Sequence, residues 1–108
     1  MDRETVIEKL TKYSELVFTV VTPNKIVLFG SYAKGNWTEN SDIDVAIFVN
    51  KITDDFLQLS TKLCKLTRNI DYRIEPLLLE ENNDKSGFIS EINKHGIIVY
   101  QDKNKITK

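Results

Sequence analysis

Over residues 2 to about 20 the apolar side chains Val6, Ile7, Leu10, Tyr13, Leu16, Val17 and Val20 recur at helical spacing. This spacing predicts an amphipathic helix with Asp2 as its N-cap. The β-branched stretch 18–22 blurs the helix end, and Pro23 enforces a stop. "KIVLFG", residues 25–30, is a short apolar run closed by glycine and reads as a buried strand. Residues 43–49 are apolar at nearly every position after Asp44, the pattern of a central strand covered on both faces. Asp54 is placed to cap a helix running to about Arg68, with Phe56, Leu59, Leu63 and Leu66 as its inward stripe. Residues 70–79, "IDYRIEPLLL", read as a third strand, and Pro76 requires it to lie at a sheet edge or to bulge. Asp84 or Ser86 starts a last helix carrying Phe88, Ile89 and Ile92. Gly96 stops that helix before "IIVY", a fourth strand, and residues 101–108 read as a frayed tail. This order predicts one α+β domain over 1–108, a small mixed sheet of about four strands with helices packed on it.

Composition narrows the class. With 41% hydrophobic and 29% charged residues in 108, the chain has the balance of an ordinary globular domain with a single core. Fifteen Lys and Arg against sixteen Asp and Glu leave a net charge of -1, so no global basic field draws it to nucleic acid. The single cysteine, Cys64, excludes an internal disulfide and a thiolate metal cluster, and its helical setting predicts a small buried side chain. The charged opening segment does not read as a signal peptide and no apolar run reaches transmembrane length, so the expected location is cytoplasmic.

One stretch breaks the apolar pattern. In "GSYAKGNWTENSDIDVAIFV", residues 30–49, Asp42 and Asp44 stand one residue apart at the mouth of the predicted central strand. Strand side chains alternate, so both carboxylates point to the same side with Cα atoms about 6–7 Å apart. Burying such a pair uncompensated would cost several kcal/mol or protonate one member. A solvated strand end accounts for the pair, and so does a hard divalent cation, which turns the repulsion into a ligand set. Upstream, Gly30 lets the backbone approach an anion without a Cβ in the way, Ser31 adds a hydroxyl, and "SYAK" can start a helical turn carrying Lys34. Gly35 then allows the chain to reverse toward Asp42.

Gly-Ser followed after ten residues by Asp-x-Asp, framed by two apolar strands, resembles the signature of the polymerase β-type nucleotidyltransferase superfamily. The resemblance is greatest to its minimal members, short domains commonly paired with a helical HEPN-domain protein, and it covers nearly the whole chain. It implies the nucleotidyltransferase fold and a third carboxylate on a later strand that completes a site for two magnesium ions. Asp71 and Glu75 share the required parity, and Glu75 is favoured because an apolar run follows it, as in the family. The implied ligand and catalytic set is therefore Asp42, Asp44 and Glu75, with Gly30, Ser31, Lys34 and Ser41 at the nucleotide. The implied reaction is attack of a hydroxyl on the α-phosphate of ATP with release of pyrophosphate, the two metal ions activating the attacking oxygen and neutralising the leaving group. The implied acceptor is a protein hydroxyl, such as a tyrosine on a HEPN-type toxin, which would make this chain an antitoxin. The competing reading is an inactive module that neutralises its partner by occlusion.

The remaining residues carry paired readings. Lys34 either contacts the triphosphate or is solvated, and Ser41 braces Asp42, closes a turn, or does both. Tyr32 and Trp37 flank the loop, where they would stack on a base or a partner or do neither. Arg73 either balances the acids or forms a surface ion pair. His95, at a predicted helix end, is expected to serve the helix C-terminus rather than catalysis.

Overall fold

Asp2 accepts a hydrogen bond from the Thr5 amide at 2.9 Å and so caps α1, Arg3–Val17, as its position before the apolar stripe predicts. The computed structural model describes residues 1–52, 55–83 and 87–102. After α1 come β1 (Lys25–Phe29), the single-turn α2 (Ser31–Lys34), β2 (Ile43–Val49), α3 (Phe56–Leu66), a 3-10 turn (Thr67–Asn69), β3 (Ile74–Glu80), α4 (Phe88–His95) and β4 (Ile97–Gln101). The four strands form one mixed sheet in the order β3-β2-β1-β4. β1 runs antiparallel to both β2 and β4, while β2 and β3 are parallel.

The parallel pair needs a crossover, and α3 supplies it. α1 and α3 pack on one face, where Val6, Leu10, Tyr13 and Val17 meet Ile26, Leu28, Val45, Ile47 and Leu63. Within that layer the buried Tyr13 hydroxyl donates to the Leu63 carbonyl at 2.7 Å, tying α1 to α3, and burial pushes its phenol pKa upward. α4 covers the other face, where Ile89 and Ile92 pack on Val27, Ala46 and Phe48. β2 is thus interior to the sheet and covered on both sides, as its near-continuous apolar run requires. Burial of a side chain such as Phe48 or Ile47, both fully buried, contributes about 1.5–3 kcal/mol.

Several expectations are corrected. α1 ends at Val17 rather than near residue 20, because the chain tightens into i to i+3 bonds at Thr19 and Val20. Phe56 is 48% exposed, so the stripe of α3 engages the core only from Leu59 onward. Cys64 is exposed, because it stands about 100° around the helix from the buried Leu63. The third strand begins at Ile74, not residue 70, because Asp71 folds the preceding residues into a turn: its side chain accepts from the Arg73 amide and its carbonyl from the Ile74 amide. Pro76 does lie on an edge strand, with an unbroken register to β2. Gln101 is paired within β4 and the Asp102 amide donates to Asn24, so the predicted frayed tail does not begin at 101; residues 103–108 lie outside the described residues. The proposed caps Asp54, Asp84 and Ser86 also lie outside them, and α3 is capped by Asp55, which accepts from the Leu57 amide at 3.0 Å.

Candidate active site

The end of β1 and the beginnings of β2 and β3 meet at one end of the sheet. In the register Asp44 lies between Phe29 of β1 and Glu75 of β3. Neighbouring strands are about 4.8 Å apart, so the Asp44 and Glu75 side chains rise side by side from the face that α4 covers farther along. Asp42, immediately before β2, shares that face by alternation. The structure therefore brings Asp42, Asp44 and Glu75 together, on the side of the sheet away from α1 and α3.

Their electrostatics follow from this crowding. Burial raises the pKa of the half-buried Asp44, and the neighbouring Asp42 raises it further. Glu75 is also raised, by desolvation, by a hydrogen bond shared with Asp42, and by the charges of Asp42 and Asp44. Among the described residues no lysine or arginine pairs with any of the three. Nor, among them, do three acidic, histidine or cysteine groups converge closely enough to form a ready-made metal-ligand set. The hard oxygen donors and their uncompensated repulsion nonetheless suit a divalent cation such as magnesium, which would draw the carboxylates inward.

Gly30 sits against this cluster. Its backbone, φ 75° and ψ -152°, occupies a region open essentially to glycine alone. A Cβ built there would run into the Asp44 carboxylate, 3.1 Å from its Cγ. The missing side chain keeps the space above Asp44 clear. The Gly30 carbonyl accepts from the Ala33 and Lys34 amides, starting α2, and the Gly35 amide closes it on the Ser31 carbonyl at 2.9 Å. Among the described residues the partly exposed Ser31 hydroxyl makes no hydrogen bond, and Lys34 is exposed.

Asp71, the alternative third acid, occupies a different environment. Its buried carboxylate accepts from Lys9 Nζ at 2.8 Å, from Arg73 Nη2 at 2.8 Å and Nε at 3.1 Å, and from the Arg73 amide at 2.9 Å. Led by the Arg73 hydrogen bond, these partners hold its pKa well below the usual carboxylate range. Arg73 is thus committed to Asp71. Ser41 closes a turn, its hydroxyl accepting from the Thr38 amide at 2.8 Å. Tyr32 is fully buried and stacks on Trp37 with ring centroids 5.2 Å apart, so it has no face left for a base. His95 lies at the end of α4, 3.3 Å from Glu91.

Two parts of the site have no local signal in the sequence. Arg3 donates to the Tyr32 carbonyl at 2.9 Å and to the Ala33 carbonyl at 3.2 Å, and its guanidinium lies over Trp37, which anchors α2 to α1 across some thirty residues of chain. A cavity of about 240 Å³ adjoins Gly30 and is walled by Phe29, Phe88, Ile92 and Gly96. Its walls come from segments far apart in the chain. A larger cavity, about 420 Å³, lies at the opposite end of β2 beside Asn24, Val49 and Ile52, remote from the carboxylates.

Residues 4–105 match the family described as polymerase beta, nucleotidyltransferase. The chain is 29% identical over 100 residues to a protein of Methanocaldococcus jannaschii named "Putative protein adenylyltransferase MJ0141", covering 87% of this chain and 98% of that protein. A crystal structure described as "a putative nucleotidyltransferase from Sulfolobus solfataricus" superposes with a TM-score of 0.66 at 17% identity, covering 95% of this chain and 86% of that one. A second, described as "the toxin-antitoxin with AMP-PNP", superposes with a TM-score of 0.61 at 21% identity, covering 91% and 75%. Both structures share the fold found here, and the family match spans nearly the whole domain, including the glycine-serine turn and the acidic strand mouths. The chain belongs to the polymerase beta nucleotidyltransferase family.

Proposed function

We propose that this nucleotidyltransferase moves AMP from ATP to a protein hydroxyl, a tyrosine of a HEPN-domain partner, and thereby acts as the antitoxin of a two-component module. One observation carries the site assignment: Asp44 has Glu75 beside it on one strand, while on the other the backbone of Gly30 approaches so closely that a side chain there would displace the carboxylate. An acidic cluster and a clear phosphate approach thus share one sheet end. The relative named as a protein adenylyltransferase and the toxin-antitoxin neighbour support the choice of acceptor.

In this reading Gly30 and Ser31 hold the β- and γ-phosphates, and the exposed Lys34 adds a cation at their edge. Asp42, Asp44 and Glu75 would hold magnesium, which when bound neutralises phosphate charge and lowers the pKa of an acceptor hydroxyl. Glu75, on the strand farther from Gly30, faces the incoming acceptor. The acceptor oxygen forms a bond to the α-phosphorus as the bond to the β-phosphate oxygen breaks; pyrophosphate leaves, and the hydroxyl proton passes to a carboxylate or to water. Asp71 stays outside the chemistry and fixes the turn that presents Glu75.

The test is incubation of the chain and the product of its neighbouring gene with magnesium and ATP labelled in the α-phosphate. Label on the partner, lost with Asp44→Asn, is the expected result. If Asp44→Asn neutralises the partner as well as the wild type does, occlusion rather than transfer is the mechanism.

A further inference from the structure

The cavity of about 420 Å³ lies where β2 ends, roughly 17 Å along that strand from Asp44 at about 3.3 Å per residue. Neither the carboxylates nor the Gly30 turn makes use of it. Its floor is apolar: Val49 and Leu78, on neighbouring strands, and Leu59 of α3 are nearly buried, and Val20 closes one side. Asn24 is only 6% exposed and is held through its backbone, the amide donating to the Phe48 carbonyl at 2.7 Å and the carbonyl accepting from the Asp102 amide at 2.8 Å. Its side-chain nitrogen donates to Asn50 Oδ1 at 2.6 Å and to Glu81 Oε1 at 3.2 Å. Both amide hydrogens are thereby used, and because an ionised carboxylate only accepts, Glu81 fixes which way the amide points. Asn24 Oδ1 is left with no hydrogen bond among the described residues. That oxygen is not sealed in, since Tyr32 Oη is the one fully enclosed side-chain polar atom without a partner among them; the open space that Asn24 lines is this cavity. At the rim the exposed Lys51 makes no ion pair among the described residues, and the Asn50 side-chain nitrogen donates to none of them. Asp102 also lines the cavity, with a carboxylate that can accept more than one hydrogen bond.

We propose that this cavity binds a free α-amino acid with an apolar side chain. Its ammonium donates to Asn24 Oδ1 and Asp102, its carboxylate accepts from Lys51 and the Asn50 side-chain nitrogen, and its side chain lies on Val20, Val49, Leu59 and Leu78. The polar groups decide the class. Asn24 Oδ1 requires a donor, and Lys51 calls for an anion. Asp102 counts against phosphate or another polyanion, because it would face the added charge. A peptide terminus offers an ammonium or a carboxylate at one residue but not both, so the match is to the free zwitterion. The volume falls in the range of roughly 300–1,000 Å³ typical of small-molecule sites, and an apolar floor with a few polar groups at one edge is their usual composition. This inference stands apart from the proposed nucleotidyl transfer, since the two sites share no residue.

Calorimetric titration of the full chain with leucine, methionine, phenylalanine and glycine tests this. Leucine should bind at least about tenfold more tightly than glycine, which has the same charged ends and no side chain to lay on the floor. Leucinamide, which lacks the carboxylate, and isocaproate, which lacks the ammonium, should each bind about tenfold more weakly than leucine, the usual effect of losing a hydrogen bond to a charged group. Lys51→Gln, a change at an exposed position, should weaken leucine about tenfold and leave leucinamide unchanged, and Val20→Phe, which fills the cavity, should abolish leucine binding. Asp44→Asn should bind leucine as the wild type does. Absence of binding by leucine, methionine and phenylalanine to folded wild type overturns the inference. So does equal affinity for glycine and leucine, or leucine binding that Lys51→Gln leaves unchanged. None of these results touches the proposed transfer, whose own test is label on the partner.

Discussion

Gly30→Ala is the most exacting single change for the geometry described above. Alanine at φ 75°, ψ -152° would carry about 1–3 kcal/mol of backbone strain. Its methyl group would also meet the Asp44 side chain, 3.1 Å from Cγ and 3.3 Å from Cβ. The first atom struck is the carboxylate oxygen Oδ2, and because Cγ and Cβ of this short side chain are also close, relief needs a shift of Asp44 or of β1, an overpacking cost of about 1–3 kcal/mol. The sum is about 2–6 kcal/mol, a large share of the stability of a domain this size. Gly87 provides the control. It too has positive φ, 79°, but a Cβ there meets nothing within 4 Å, so Gly87→Ala should cost only the strain, about 1 kcal/mol. Urea denaturation of both variants measures the difference. Adding Asp44→Ala to Gly30→Ala removes the carboxylate that the methyl group strikes and should recover part of the loss, as a coupling of about 1 kcal/mol. Equal destabilisation by the two glycine substitutions, or strict additivity in the double variant, would refute the close approach and with it the cleared space above Asp44.

Asp71→Asn should destabilise by about 2–3 kcal/mol in urea titrations at neutral pH, less than for a fully buried ion pair because Lys9 and Arg73 are partly exposed. The folded pKa of Asp71 is depressed, so its stabilisation is present above the unfolded value near 3.9 and is lost as pH falls below it; wild type should weaken on acidification where Asp71→Asn changes less. Asp44 has the opposite sign. Its folded pKa is raised, so ionisation costs stability above that pKa, and without magnesium Asp44→Asn should melt at or above the wild-type temperature at pH 7 while nucleotidyl transfer is lost. Cys64 should react stoichiometrically with a thiol reagent in native protein, at a rate that low denaturant does not change.

Much of this fold was legible because periodicity carries burial directly. The run from Ile43 to Val49 announced a strand covered twice, and it lies inside the sheet with α1 and α3 on one face and α4 on the other. Pro76 signalled an edge for the same kind of reason, a missing donor. Alternation also placed Asp42 and Asp44 on one face, but it left Asp71 and Glu75 equivalent, because parity holds only inside a strand. Asp71 is in a turn built by its own side chain, so the strand starts later than its composition suggests. The reading of Tyr32 as a loop aromatic failed because the short helix turns it into the core against Trp37. Arg3 and the Phe29–Phe88 cavity were invisible for a different reason: each depends on segments brought together only by the tertiary fold.

The most direct test of the central claim compares ATP labelled in the α-phosphate with ATP labelled in the γ-phosphate, in the presence of magnesium and the partner protein. The account predicts that α-label becomes covalently attached to the partner, that γ-label appears only in released pyrophosphate, and that Asp42→Asn, Asp44→Asn and Glu75→Gln each prevent attachment. Transfer of γ-label to the partner, or α-label attachment that survives all three substitutions, would contradict it.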